Sequence, residues 1–335
     1  MHPPRKNQQK LNECCSIELP DMIAKGHNLT ILFISIVAVL FLAPDFGLPH
    51  VVGASATTLC PSIPNYPSDF PTKMYPAPGG GAFVETGSGN LVYCAGGTAT
   101  TIATNPEPSA PWDGMGGVNS PIYGIVLALT SYAPTPGSGV WLCFTATSFG
   151  CNSGTSQFIT LPSSFCSTEP AGYCEPIGTA LDSSLNLYYV DYANAKLVEC
   201  MYSNTYQTCT NLPASSALKG YSPIGLALVG GTFYVADHSC SGRVWKGTKS
   251  SLSVIYKTGE ALTDITASKN NPTKTLHVYG VFSGSCKGTG AYVKDLTDGK
   301  KLSGPYSGFT PVYLDSKLQV DSSYSSGVYQ MKDTS

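Results

Sequence analysis

The chain has 335 residues, of which 42% are hydrophobic and only 12% charged, and its formal net charge is −2. An average protein carries about 25% charged residues, so Ser, Thr, Tyr, Asn and backbone must cover much of this surface. A chain so near neutrality has no bulk field with which to hold nucleic acid or another polyanion, and that class of partner is set aside.

Residues 1–28 are polar and mixed in charge, and an apolar run of 15 residues follows from Leu29 to Ala43, stopped by Pro44-Asp45. A membrane-spanning helix needs about 20 apolar residues, so the run suits the core of a signal peptide. Lys25 precedes it, and Ala54-Ser55-Ala56 supplies a small-x-small cleavage site. Residues 1–56 are therefore expected to be an N-terminal extension and signal peptide, with Met22 as an alternative start. If the segment is not cleaved it is a signal anchor, and only then is a membrane a partner. The expected location is secreted, periplasmic or at the extracellular surface.

Cysteine placement points to the same compartment. Of 12 cysteines, Cys14 and Cys15 precede the apolar run and the other ten follow it. An even set beyond a signal peptide reads as disulfides formed in an oxidising environment. Short spacings suggest Cys143 with Cys151, Cys166 with Cys174, and Cys200 with Cys209. Cys60, Cys94, Cys240 and Cys286 remain, and 60–94 with 240–286 is one way to join them. No Cys-x-x-Cys occurs, which removes the usual zinc and covalent-haem patterns.

Residues 57–78 form a Pro-rich lead-in (Pro61, Pro64, Pro67, Pro71, Pro76 and Pro78), ending at Gly79-Gly80-Gly81. Short apolar runs then alternate with turn residues to the end of the chain, the period-2 pattern of strands. Ala82–Glu85 with Asn90–Cys94 is a first degenerate unit, and Pro121–Leu129 with Gly139–Phe144 a second. The third reads Pro176-Ile177-Gly178-Thr179-Ala180-Leu181-Asp182, then Leu187-Tyr188-Tyr189-Val190-Asp191. The fourth repeats it as Pro223-Ile224-Gly225-Leu226-Ala227-Leu228, then Phe233-Tyr234-Val235-Ala236-Asp237, at an offset of 47 residues. Periods of this size mark propellers and solenoids. Leu262–Ala267 with Leu276–Tyr279 is a fifth unit, with a hairpin at Asp298-Gly299. Phe309–Leu314, Lys317–Asp321 and Gly327–Met331 make a sixth. The fold expected for residues 79–335 is all-β: a six-bladed β-propeller of four-stranded antiparallel blades. A β-sandwich or a pair of all-β domains is the alternative, which the repeat argues against. The sixth unit runs out of chain after three strands, and a strand from residues 66–78 is expected to complete it.

The third and fourth units resemble NHL-type propeller repeats, and more distantly the gluconolactonase-like and strictosidine-synthase-like six-bladed families. The resemblance rests on Pro-Ile-Gly-x-Ala-Leu and (Leu/Phe)-Tyr-x-(Val/Ala)-Asp, and it implies architecture rather than activity. Gluconolactonase-like members hold a divalent cation with Glu, Asn and Asp at the starts of their innermost strands. The matching places here read Tyr123-Gly124, Ile177-Gly178, Ile224-Gly225, Asp264 and Val312. Only Asp264 among them is a hard-cation ligand, and such ions need several oxygens. No metal and no other cofactor is expected on this ground. Glu85 and Glu175 are placed to reach the channel mouth.

Beyond Ala56 there are two histidines, His238 and His277. His277 lies in a strand pattern, and His238 follows a strand end on the ligand face. No Gly-x-Ser-x-Gly elbow, phosphate loop or His-Glu-x-x-His is present, so no catalytic residue is assigned. The inter-unit loops carry Trp112, Asp113, Tyr173, Tyr221, Tyr306 and Phe309, side chains suited to stacking on sugars, aromatic ligands or protein partners. With Glu175, His238 and Asp264 they complete the set of ligand-face candidates. The function expected is an extracytoplasmic binding module for a protein, glycan or small ligand. The alternatives are a metal-assisted hydrolase or lyase of the gluconolactonase-like type, and a redox protein with a non-covalent cofactor.

Overall fold

A computed structural model describes residues 57–64, 71–105, 112–131, 138–144, 146–147, 150–151, 156–269, 276–287, 291–301, 312–314, 319–324 and 327–332. The apolar run, its cleavage site, Tyr306 and Phe309 lie outside them.

Strand β1 (Thr57–Cys60) opens the described chain. The first blade comprises β2 (Pro71–Ala77), β3 (Gly81–Thr86), β4 (Asn90–Ala95) and β5 (Thr98–Thr104). The second comprises β6 (Trp112–Ser120), β7 (Gly124–Ser131), β8 (Gly139–Cys143) and β9 (Gln157–Thr160). The third is β10 (Pro176–Leu181), β11 (Leu187–Asp191), β12 (Lys196–Cys200) and β13 (Cys209–Asn211), and the fourth is β14 (Pro223–Val229), β15 (Thr232–Asp237), β16 (Arg243–Gly247) and β17 (Leu252–Lys257). A three-stranded sheet follows from β18 (Leu262–Lys269), β19 (Leu276–Phe282) and β20 (Tyr292–Asp295). The last sheet is β21 (Val312–Leu314), β22 (Gln319–Tyr324) and β23 (Gly327–Lys332), joined by β1. Every pairing is antiparallel. Helical structure among the described residues is confined to short pieces, the longest being the six-residue Pro213–Leu218.

Among the described residues the architecture is a β-propeller with five four-stranded blades, a correction to the expected six. The fifth unit in chain order shows three strands among the described residues; past the turn at Asp298-Gly299, Lys301 bridges back to Lys294 of β20. The closing strand also differs from expectation. It is Thr57–Cys60, pairing through Thr57 with Gln330 and Cys60 with Val328, whereas Pro71–Ala77 is an innermost strand. The Cys60–Cys94 disulfide fastens that closing strand to the first blade. Cys143–Cys151, Cys166–Cys174, Cys200–Cys209 and Cys240–Cys286 are the other bridges; three of the five are the pairs that short spacings suggested, and the remaining four cysteines, whose pairing was open, join as 60–94 and 240–286.

Packing explains the near-continuous apolar strands. Leu187 and Tyr189 of β11 face the second blade and pack with Val126, Leu142 and Phe144. Tyr188 and Val190, the alternate residues, face the fourth blade and pack with Leu226, Phe233 and Val235. Both faces of β11 are thus buried, which is why its sequence lacks an apolar–polar alternation. The same arrangement joins the first and second blades through Phe83, Trp112 and Leu127, and the fourth blade to the three-stranded sheet through Tyr234, Val244 and Ile265. Each such large apolar side chain stabilises the fold by about 1.5–3 kcal/mol relative to exposure.

The innermost strands β2, β6, β10, β14 and β18 contact one another in that order, and β21 contacts both β18 and β2. These contacts enclose the central channel. An innermost strand has one unpaired edge, so the prolines at Pro71, Pro176 and Pro223 cost no ladder hydrogen bond.

Candidate ligand site in the central channel

The start of each of the five strands β2, β6, β10, β14 and β18 carries the same irregularity. The ladder skips one residue: Thr72, Asp113, Ile177, Ile224 and Thr263, respectively. Such bulges bend a strand end and re-aim side chains. They also fix the equivalence of the blades. The residue after each bulge is Lys73, Gly114, Gly178, Gly225 and Asp264.

Glycine at this position lets neighbouring innermost strands approach. A Cβ on Gly114 would stand 1.7 Å from the Ile177 carbonyl oxygen, and one on Gly178 would stand 2.7 Å from that of Ile224. In the two remaining positions the ring carries charge instead. Lys73 Nζ lies 3.2 Å from Asp264 Oδ2, with side-chain exposures of 12% and 13%. Both residues line a cavity of about 230 Å³ inside the channel, whose walls include Met115, Thr179, Leu226 and Thr266.

Acids gather around the same end. Glu85 sits opposite Lys73 in the β2–β3 ladder and is fully buried. The Thr72 hydroxyl lies 3.2 Å from its Oε1, while its Oε2 has no hydrogen-bond partner. Burial pushes the Glu85 carboxyl up to about 8, with neighbouring Asp113 and Asp264 adding to the rise and Lys73 and Thr72 opposing it. Glu175, just before β10, is pushed up to about 7 by burial and then by Asp113 and Asp191. Of these two carboxyls, Glu85 adjoins the lysine–aspartate pair, while Glu175 is coupled to Asp113 and Asp191.

The aspartates that end the second strands have a local task. The backbone N–H of Glu175 donates to Asp191 Oδ1 at 3.1 Å, and that of Ser222 donates to Asp237 Oδ1 at 3.1 Å. Each thereby holds the loop that enters its innermost strand.

The other expected ligand-face residues are dispersed. Trp112 belongs to β6 rather than to a loop, is 2% exposed and stacks on Trp141 at 5.4 Å; alternation places it in the core. Tyr221 packs edge-on against Trp245 at 5.1 Å, with the Arg243 guanidinium 4.3 Å above its ring. Tyr173 offers its carbonyl to Asn194 Nδ2 at 2.8 Å. His238 donates from Nδ1 to the Leu262 carbonyl at 2.9 Å, and His277 Nδ1 lies 2.8 Å from buried Asp295. Asp113, Glu175 and Asp264 are the expected residues that share the channel end. No group of three or more His, Cys, Asp or Glu is placed to hold a metal ion among the described residues.

Lys73 is the site residue that sequence reasoning missed. The unit boundaries of the first two blades were set one strand late, so Tyr123-Gly124 took the place that belongs to Asp113-Gly114. Tyr123 precedes β7, a second strand. A usable signal existed: Pro71-Thr72-Lys73 enters its blade as Pro176-Ile177-Gly178 and Pro223-Ile224-Gly225 enter theirs.

No protein-family model and no curated protein matches the chain. Solved structures do. One is an oxidoreductase assigned as a glucose dehydrogenase, from Thermus thermophilus, with a TM-score of 0.51 at 10% identity over 78% of this chain and 96% of that one. A streptogramin B lyase superposes with a TM-score of 0.51 at 13% identity over 83% of this chain and 96% of its own. At such identities the likeness is one of fold, and what it shows is a β-propeller.

Proposed function

We propose that the protein is an exported β-propeller that binds a small polar ligand in its central channel. The observation that carries this reading is the cavity of about 230 Å³ with Lys73 and Asp264 on its wall. That space suits a compact molecule, and most of the surface it exposes is polar, which favours a polar occupant over an apolar one. Lys73 offers donors and positive charge, Asp264 offers acceptors, and a ligand bearing both polarities can insert between them. Export is supported by the five disulfides, which persist in oxidising compartments, and by the apolar run from Leu29 to Ala43. Crystals soaked in a mixture of small amines, carboxylic acids and polyols test the reading. Ligand density beside Lys73 and Asp264 is the expected result; density only outside the channel would refute it.

A second reading, a hydrolase or lyase, has its own observation. Glu85 and Glu175 are raised to about 8 and about 7. Perturbed carboxyls that exchange protons near the working pH are a mark of acid–base catalysis as well as of buried structure. Turnover of lactones or cyclic esters that disappears in Glu175→Gln, with folding intact, would favour this reading over simple binding.

A further inference from the structure

A second concavity lies on the outside of the molecule, remote in sequence from the channel residues. It has a volume of about 570 Å³ and runs along β9, the outermost strand of the second blade. Its lining includes Gln157, Phe158, Thr160, Ser163, Thr205 and Gln207, and none of the residues that line it is charged. Gln157, Thr160, Ser163, Thr205 and Gln207 are exposed, and Phe158 is half-buried, its ring seated against Gly139.

The wall formed by residues 201–208 is held rigidly. Cys200 and Cys209 close it with a disulfide. Tyr206 is buried and donates its hydroxyl to the Leu185 carbonyl at 2.6 Å. Thr205 and Tyr206 both adopt left-handed backbone, at φ of 56° and 59°, and this places the neighbouring Gln207 at the groove. A ligand that binds here meets a wall already ordered, so little loop entropy is lost on binding.

The chemistry of the lining limits what can occupy it. Amides and hydroxyls donate and accept in equal measure, and a β9 edge on the rim of its sheet adds backbone groups. A phosphate, a carboxylate or an ammonium group would find no counter-charge. An aliphatic chain would leave several amides and hydroxyls without partners. A molecule dense in neutral hydroxyls, with a C–H face for an aromatic ring, satisfies all of these groups. We propose that this groove is a binding site for a neutral oligosaccharide. The proposal is independent of the channel reading, since it uses different residues and a different ligand class.

The test is calorimetric titration of the full chain with neutral oligosaccharides (a maltose, cellobiose, mannose and N-acetylglucosamine series), with a uronic-acid oligosaccharide as the charged comparison. The expected result is saturable binding of at least one neutral sugar. Its affinity should fall about tenfold or more in Gln207→Leu and in Gln157→Leu, which is about 1.4 kcal/mol each. The same sugar should bind Ser253→Ala, a variant at an exposed residue of β17 outside the groove, with unchanged affinity. Both glutamines are exposed, so their variants keep the fold, and circular dichroism verifies this. Absence of binding across the neutral series, preference for the uronic acid, or a loss of binding in Ser253→Ala as large as that in Gln207→Leu would each overturn the proposal.

Discussion

Lys73 Nζ and Asp264 Oδ2 stand 3.2 Å apart at the ring position that glycine fills in the three blades between them. β2 and β18 belong to different sheets with β21 between them, so the ion pair ties the start of the ring to its end at the channel mouth. Both side chains are nearly buried. Removing one partner leaves an uncompensated charge, so Lys73→Met should destabilise the protein by about 3 kcal/mol, whereas Lys73→Met with Asp264→Leu should cost less than the two single changes summed. Denaturant unfolding of the three variants measures the coupling.

Glu85 gives the fold a pH dependence with a definite sign. Its carboxyl is raised from an ordinary 4.5 to about 8, so the folded state holds a proton that the unfolded chain has released. Stability contributed by the protonated form is fully present below about pH 4.5 and is lost progressively as the pH rises toward about 8. Glu175 acts in the same direction, with its loss complete near pH 7. Unfolding free energy measured across this window should therefore fall less steeply in Glu85→Gln than in the natural chain.

Close approach of the innermost strands can be probed at Gly178. An alanine Cβ there would stand 2.7 Å from the Ile224 carbonyl oxygen and 2.8 Å from the Leu226 nitrogen, both backbone atoms. Gly178→Ala should cost about 1–3 kcal/mol by overpacking. A neutral effect in thermal unfolding would mean that the third and fourth blades are not packed as described.

The closing strand rests partly on one bridge. Cys60 and Cys94 enclose a sequence separation of 34 residues, and loop-entropy arguments assign such a crosslink about 4 kcal/mol. Replacing both with alanine should lower the melting temperature and expose the β1–β23 pairing to hydrogen exchange ahead of the other sheets. Uniform exchange across all sheets would contradict a local closing role.

How far the fold was legible depended on the blade. β10, β11, β14 and β15 share one phrase at an offset of 47 residues and fell where the repeat put them. The first two innermost strands did not, for a physical reason. β6 reads Trp-Asp-Gly-Met-Gly-Gly-Val-Asn-Ser, with glycines where close strand approach demands them, so it shows neither alternation nor an apolar run. β2 contains Pro71 and Pro76, which argue against a paired strand unless one edge is open, as it is beside a channel. Slipping those two strands hid Lys73 and misplaced Asp113. The aromatic candidates differ among themselves: Trp112 is buried in an inter-blade core while Tyr221 packs half-buried against one, and sequence does not say which face of a strand a lone aromatic takes.

A small polar ligand held between Lys73 and Asp264 is tested most directly by one comparison. A library of small amines, acids and zwitterions is screened by thermal denaturation against the natural chain and against Lys73→Met with Asp264→Leu. The prediction is a compound that raises the melting temperature of the natural chain in a concentration-dependent way and leaves the double variant unmoved. Compounds that stabilise both proteins equally, or a library that stabilises neither, would contradict it.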